Sequence, residues 1–262
     1  MMTDFKKYLE LNKEAWNSRT PTHLTSKFYN QNKFFKEKNS LNSIELDSLG
    51  DINEKTLLHL QCHFGQDSIS LQRMGAHVTA IDFSEIAIAT AKRLNNDINT
   101  NVDFIEGDVL NINLNKKFDL VFSSYGVIGW LPDLNSWAKT ISKHLKKGGE
   151  FLLTEFHPFL HLMVDDDQDY FFDPKPHIEK SSNTYTDGKL HNETTTCWWN
   201  HSLTEIFIAL ETNGLKLLHF EEFDYSPYKL EGMTERSNKK FVLEEKIKNR
   251  LPYVFNLKAI KK

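Results

Sequence analysis

The sequence predicts an α/β fold built on a doubly wound, mostly parallel sheet. Three observations carry that prediction. From residue 56 to residue 158, short apolar runs alternate with segments of helical spacing. The first run opens into a glycine-containing turn. The second ends on an acid, Asp82. Alternation of this kind marks βαβ units, and a parallel sheet follows from them.

The elements can be justified in order. Residues 1–50 are polar and helical in spacing, with aromatics at Phe5, Tyr8, Trp16, Phe28, Tyr29, Phe34 and Phe35. Pro21 is expected to break the first helix, because proline lacks the N–H that a helix interior needs. TLLHLQC (56–62) is the first strand. QDSISLQRMGA follows as a helix with Ile69, Leu71 and Met74 on one side, and Gly75 suits its C-terminal cap. HVTAIDF (77–83) is the second strand, and Ser84 is placed to cap the helix after it. VDFIEGDVL (102–110) and KFDLVFSSYG (117–126) supply strands three and four. DLNSWAKTISKHLKKGG is expected to be helical as far as Gly148 and Gly149, with EFLLTEFHP (150–158) as strand five. After Pro158 the rhythm lapses, and 159–200 is expected to be an irregular or β-rich insertion with an acidic run at 165–169. HSLTEIFIALETNGL restores a helix. Two closing strands, 216–225 and 253–261, flank a charged segment expected to be partly helical.

The chain has 262 residues, of which 39% are hydrophobic and 26% charged, so it is long and apolar enough to bury a core. One domain with a cap is the expected organisation: an N-terminal helical cap over 1–50 and a main domain over 51–262 carrying the insertion 159–200. Lys+Arg number 32 against 36 Asp+Glu, a net charge of -4, which gives no overall basic field for nucleic acid or an anionic membrane. No run approaches the roughly 18 apolar residues of a membrane span. The N-terminus lacks the apolar core of a secretory signal. Two cysteines, Cys62 and Cys197, make no disulfide framework, and a cytoplasmic setting is expected.

The strongest local signal is LLHLQCHFGQDSISLQRMGAHVTAIDFSEIAIATAKRL (57–94). In a doubly wound sheet the ligand lies beyond the carboxyl ends of the strands, beside the first turn. Asp82 stands there and can accept from two ribose hydroxyls. Its other reading is a cap for the helix that follows.

Over about residues 50–160 the chain resembles the class I S-adenosylmethionine-dependent methyltransferases. Within them its LQCHFG loop looks like that of a bacterial branch. The resemblance implies a Rossmann-like, seven-stranded sheet whose C-terminal strand runs antiparallel. It also implies a methyl donor, S-adenosyl-L-methionine, and a small-molecule acceptor. The usual first loop has the form D-x-G-x-G-x-G. Here His59 replaces the acid, Gln61 and His63 replace the first two glycines, and Gly65 remains. The donor carries no phosphate, so the loop need not bring bare backbone to a pyrophosphate. Side chains of Gln61 and His63 can instead meet the donor's carboxylate and ammonium. The resemblance places Asp82 on the ribose, with Phe83 and Ser84 beside it, and Asp108 and Val109 on the adenine. Ser123, Ser124 and Tyr125 emerge from the fourth strand toward the methyl group. Trp16, from the N-terminal segment, is expected to cover the donor. Tyr125 and His157 are the candidates for catalysis, His157 as a base for a protic acceptor.

Other chemistries fit less well. The asparagine-proline-proline-aromatic motif of amino-directed nucleic-acid and protein methyltransferases is absent. His157, His161, His177, His191, Cys197 and His201 show no tight metal-ligand spacing, so no metal site is expected. Tyr185 and Lys189 have the Y-x-x-x-K spacing of short-chain dehydrogenases but sit in a turn, TYTDGK. Two alternatives stay open: a binding protein that keeps the fold without catalysis, and a nucleotide-dependent oxidoreductase.

Overall fold

The structure is a computed structural model and describes all residues except 1, 38, 165–168 and 244–250. Its centre is a seven-stranded sheet. The strands are β1 (Thr56–Leu60), β2 (His77–Asp82), β3 (Asp103–Glu106), β4 (Phe118–Ser124), β5 (Leu145–Phe156), β8 (Leu215–Phe223) and β11 (Val254–Lys261). They lie in the order β3-β2-β1-β4-β5-β11-β8. Strands β1 to β5 pair in parallel, whereas β11 runs antiparallel between β5 and β8. The order reverses at β1, which puts the switch point of the sheet, and so its ligand crevice, beside the β1 exit turn.

Both faces of the sheet are buried, as a parallel sheet requires. Side chains alternate between two core clusters. Leu58, Leu60, Val121, Phe151 and Leu153 enter one, and Leu57, Val78, Ala80, Phe122 and Leu152 the other. Helices α4 (Gln66–Arg73), α5 (Glu85–Asp97), α6 (Leu134–His144) and α8 (Leu203–Thr212) cover these faces. Gly75, at φ 96°, ends α4 in the left-handed conformation that glycine adopts without strain.

Two expectations are corrected. Helix α1 (Met2–Thr25) runs through Pro21. Proline costs the helix one hydrogen bond near its end, and docking offsets this. Asn12 lies on α1 and exchanges hydrogen bonds with the backbone of Cys197, donating to its carbonyl and accepting from its N–H, each at 2.7 Å. That tie holds α1 against β7 (Lys189–Trp198). Second, α6 stops at His144 and β5 starts at Leu145, where the backbone is already extended and pairs with Phe118. The insertion, expected to be irregular or β-rich, holds a hairpin of β6 (His177–Asn183) and β7 beside a short helix, α7 (Pro158–Val164). Most of its acidic run, 165–168, lies outside the described residues. The charged segment before β11 carries a second hairpin, β9 (Thr234–Ser237) with β10 (Lys240–Val242); no helix forms in 226–243, and 244–250 lie outside the described residues. Helices α2 (Gln31–Glu37) and α3 (Ser43–Leu49) precede the sheet. Among the described residues no helix is long and apolar enough to cross a membrane.

Candidate active site

A cavity of about 660 Å³ opens at the carboxyl ends of β1 to β4. Its size lies within the range of roughly 300–1,000 Å³ typical of small-molecule sites.

The β1 exit loop forms one wall. Gln61 (φ 55°), His63 (φ 51°) and Gly65 (φ 84°) all adopt left-handed backbone. Only the last is a glycine, so the loop stores strain at two positions where a Cβ crowds the chain. Asp82 holds the loop in place. Its Oδ2 accepts from the His63 N–H at 2.8 Å and its Oδ1 from the Ser84 N–H at 2.9 Å. Burial raises the Asp82 pKa to about 6, against those backbone donors. Gln61 Nε2 donates to the Val127 carbonyl at 2.8 Å, which leaves its buried Oε1 without a partner. His63 Nδ1 is likewise buried and unpartnered. Both residues line the cavity.

Asp108 and Val109 line the same cavity after β3. Asp108 also closes its own turn, accepting from the Leu110 N–H at 2.9 Å and from Asn111 Nδ2 at 2.8 Å.

The loop after β4 hangs on a buried carboxylate. Glu155 accepts from the N–H groups of Gly126, Val127 and Ile128. Tyr125, at φ 40°, is held in a conformation rare for a bulky side chain. Its hydroxyl donates to Glu45 Oε2 at 2.7 Å. Glu45 is fully buried, and desolvation raises its pKa to about 7. Nothing in the sequence marks Glu45, which reads as an ordinary first-turn acid of α3.

The opposite wall comes from α1, the residues after it and the two hairpins. Trp16 meets His63 edge-on at 5.1 Å and Trp130 at 5.4 Å. His23 bridges the walls, with Nδ1 3.0 Å from His63 Nε2 and Nε2 2.6 Å from Thr184 Oγ1. Burial, with the Arg19 charge beside it, lowers the His23 pKa to about 3, so this bridge is neutral at ordinary pH. The hydroxyls of Tyr29 and Tyr185 meet at 2.5 Å. Tyr228 stands edge-on to Tyr125 at 4.9 Å and accepts from Asn42 Nδ2.

Of the residues singled out in the sequence, Trp16, Gln61, His63, Gly65, Asp82, Phe83, Asp108, Val109 and Tyr125 line this one cavity. Three do not. Ser84 lies buried beneath it, capping α5 through the Ala87 N–H and donating to Asn17 Oδ1 at 2.6 Å. Ser123 is fully buried on the far side of β4; the two-residue period of a strand gives the cavity position to Ser124. His157 is fully buried at the end of β5, away from the cavity. Its Nδ1 accepts from the Phe159 N–H at 3.2 Å, and its Nε2 sits 3.0 Å from Glu222 Oε1. It is packed outside the cavity lining. Tyr185 and Tyr228 are cavity residues that sequence reasoning missed. Among the described residues no group of three or more acidic, histidine or cysteine side chains is arranged to hold a metal.

Known proteins resemble the core that carries this geometry. Residues 57–149 match the family described as a methyltransferase domain. Over those residues the chain is similar to methyltransferase domains. The chain is 28% identical over 152 residues to a demethylmenaquinone methyltransferase of Lactococcus lactis, covering 56% of this chain and 60% of that one. It is 33% identical over 102 residues to a malonyl-[acyl-carrier protein] O-methyltransferase of Bacillus anthracis, covering 38% of this chain and 37% of the relative. The matches therefore span between about a third and three-fifths of those relatives' lengths. An S-adenosylmethionine-dependent methyltransferase structure from Clostridium acetobutylicum superimposes with a TM-score of 0.57 at 17% identity, covering 93% of this chain and 95% of that one. At that identity the likeness establishes the fold. Residues 57–149, the matched stretch, thus supply the sheet wall of the cavity, and the segments outside it supply most of the other.

Proposed function

We propose that this protein is an S-adenosylmethionine-dependent methyltransferase acting on a small-molecule acceptor. One observation carries the reading: the exit loops of β1, β2, β3 and β4 converge on a single cavity with the residue types the donor needs. The donor's chemistry fits these residues. Asp82 keeps lone pairs free for ribose hydroxyls. Asp108 can accept from the adenine amino group, with Val109 against the ring. The unpartnered Gln61 Oε1 and His63 Nδ1 can meet the polar tail.

The bound sulfonium supplies an activated methyl group. What the protein adds is alignment and exclusion of water. The Trp16 and Tyr29 rings, with the neutral His23–His63 bridge, form a dry wall on which a cation can rest. Tyr125 faces the cavity from the loop that Glu155 fixes, so its hydroxyl can orient an acceptor. Residues 1–50 act as the cap, and the insertion 159–200 contributes Tyr185 and Trp198 to acceptor selection. The LQCHFG loop supports a place in the bacterial branch named above, and two free buried thiols support a cytoplasmic setting.

Isothermal titration with S-adenosylmethionine, S-adenosylhomocysteine and NAD tests the assignment. Binding of the first two and not of NAD is expected. Binding of NAD alone would return the chain to the oxidoreductases.

A further inference from the structure

Asp67, in the first turn of α4, lines the cavity and has no part in the donor contacts proposed above. Its Oδ1 accepts from Ser40 Oγ at 2.5 Å. Burial raises its pKa, and the hydroxyls of Ser40 and Ser124 hold it back. Four phenols that line the same cavity feel its charge. Burial raises the pKa of Tyr29, Tyr125, Tyr185 and Tyr228, and Asp67 raises each further. Three of those rings join Phe28 in a continuous aromatic wall. Tyr185 meets Phe28 edge-on at 5.4 Å, Phe28 stacks on Tyr228 at 5.4 Å, and Tyr228 stands 4.9 Å from Tyr125. Behind Tyr125 is a second carboxyl, Glu45, whose pKa is raised by burial and by Asp67. Among the described residues no cation acts on either carboxyl. Lys33, Lys229 and Lys239 reach the cavity from solvent-exposed positions, and the Arg19 charge acts on Tyr185 but not on Asp67. A carboxylate taken from water calls for a cation, and aromatic faces favour the same partner.

We propose that this part of the cavity is the acceptor subsite and that it takes an amine, its ammonium held by the Asp67 carboxylate against the Tyr125, Tyr185 and Tyr228 rings. This rests on the methyl transfer proposed above and narrows its acceptor to nitrogen. An ammonium nitrogen has no free electron pair, so one N–H bond must break before attack. Its proton passes to Asp67 and forms a carboxyl O–H bond. The freed pair then makes the new N–C bond to the methyl group as the C–S bond breaks, and the electrons of that bond stay on sulfur, which leaves neutral. The methylated product is again an ammonium, and Asp67 returns its proton to water when the product departs.

Titrations on the full chain saturated with S-adenosylhomocysteine test this, because the donor site is then filled. Benzylamine and phenethylamine are compared at pH 7 with benzyl alcohol and phenethyl alcohol, their neutral counterparts. Each amine should bind about 10- to 100-fold more tightly than its alcohol. Asp67→Asn should remove that margin and leave the alcohols and S-adenosylhomocysteine unchanged. Tyr228→Leu should weaken the amines by about 3- to 30-fold, whereas Tyr228→Phe, which keeps the ring, should not. Should Asp67→Asn fail to fold, the two Tyr228 variants carry the decision. The proposal is overturned if the amines bind no more tightly than the alcohols or if Asp67→Asn leaves their margin intact. It is also overturned if that variant weakens S-adenosylhomocysteine as much as the amines, which would give Asp67 to the donor. If S-adenosylhomocysteine does not bind at all, the function proposed above fails; benzylamine titrated against the protein alone then still shows whether the aromatic wall takes a cation.

Discussion

The sheet wall of the cavity is tied by carboxylates to backbone N–H groups: buried Asp82 to the first loop, buried Glu155 to the fourth, half-buried Asp108 to its own turn. The cap wall is tied by side chain to side chain, through His23 and Thr184, Tyr29 and Tyr185, Asn42 and Tyr228. A charged acceptor on backbone donors fixes the path of the chain. A hydroxyl–hydroxyl contact fixes only two rotamers. One wall is therefore rigid by construction and suited to an invariant ligand, and the other can be re-cut without unfolding the sheet.

The largest effect that separates the walls is expected at Glu155. Replacing it by Leu strands several buried N–H groups, each costing about 1–3 kcal/mol, so a loss of about 3 kcal/mol or more should appear in urea unfolding. A loss below 1 kcal/mol would make the two walls equivalent. Next comes Asp82. Its raised pKa means that the folded state holds the proton more tightly than the unfolded chain, whose value is near 3.9. The stability this contributes is complete below about pH 4 and is lost as pH rises through about 6. Wild type compared with Asp82→Asn should thus lose about 2–3 kcal/mol between pH 4 and pH 7. Donor binding runs the opposite way, since ribose contact needs the carboxylate, and should weaken below pH 6 in wild type alone. A flat comparison across that range would dissolve the assignment.

On the cap wall the effects should be smaller. Tyr185→Phe removes one neutral hydrogen bond and should cost about 0.5–1.5 kcal/mol. Hydrogen exchange offers a second reading: residues 16–30 and the hairpin tip should gain protection with S-adenosylhomocysteine, while the β4 loop should already be protected without it. Equal gains in both would erase the contrast. The smallest effect concerns His63, whose left-handed backbone suits glycine. His63→Gly should be more stable than His63→Ala by about 1 kcal/mol, because both lose the imidazole and only alanine keeps the strain. If alanine is as stable as glycine, the loop is not strained.

The same division governs what could be read from the residues. Strands β1 to β5, Gly75 and Asp82 announce themselves because apolar runs, a left-handed cap and an acid at a strand end are local signals. Gln61 and His63 stand at glycine positions of the usual loop, and both take the left-handed backbone those glycines would. The cap wall has no such local signal. Glu45 meets Tyr125 across 80 positions of sequence, and Tyr29 meets Tyr185 across 156. Tyr185 carried only a misleading spacing, and Tyr228 none at all. Of Ser123 and Ser124 only the second lines the cavity, a matter of strand phase that a run apolar on both faces conceals. His157 lies outside the cavity, with Phe159 and Phe255 of β11 packed against it, and no local signal in the sequence shows that burial.

The antiparallel strand β11 also has a consequence for how the chain is made. It pairs with β5 from Val254–Phe156 to Ile260–Glu150, across the middle of the sheet. On the ribosome, β5 emerges about 100 residues earlier, and at about 5–20 residues per second it waits some 5–20 seconds for its neighbour. During that interval the nascent sheet exposes a long apolar edge, the kind that recruits other strands. The kinetic hazard of this protein therefore lies in its own synthesis. Slow codons between residues 156 and 254 should lower its yield, and a chaperone that shields strand edges should restore it.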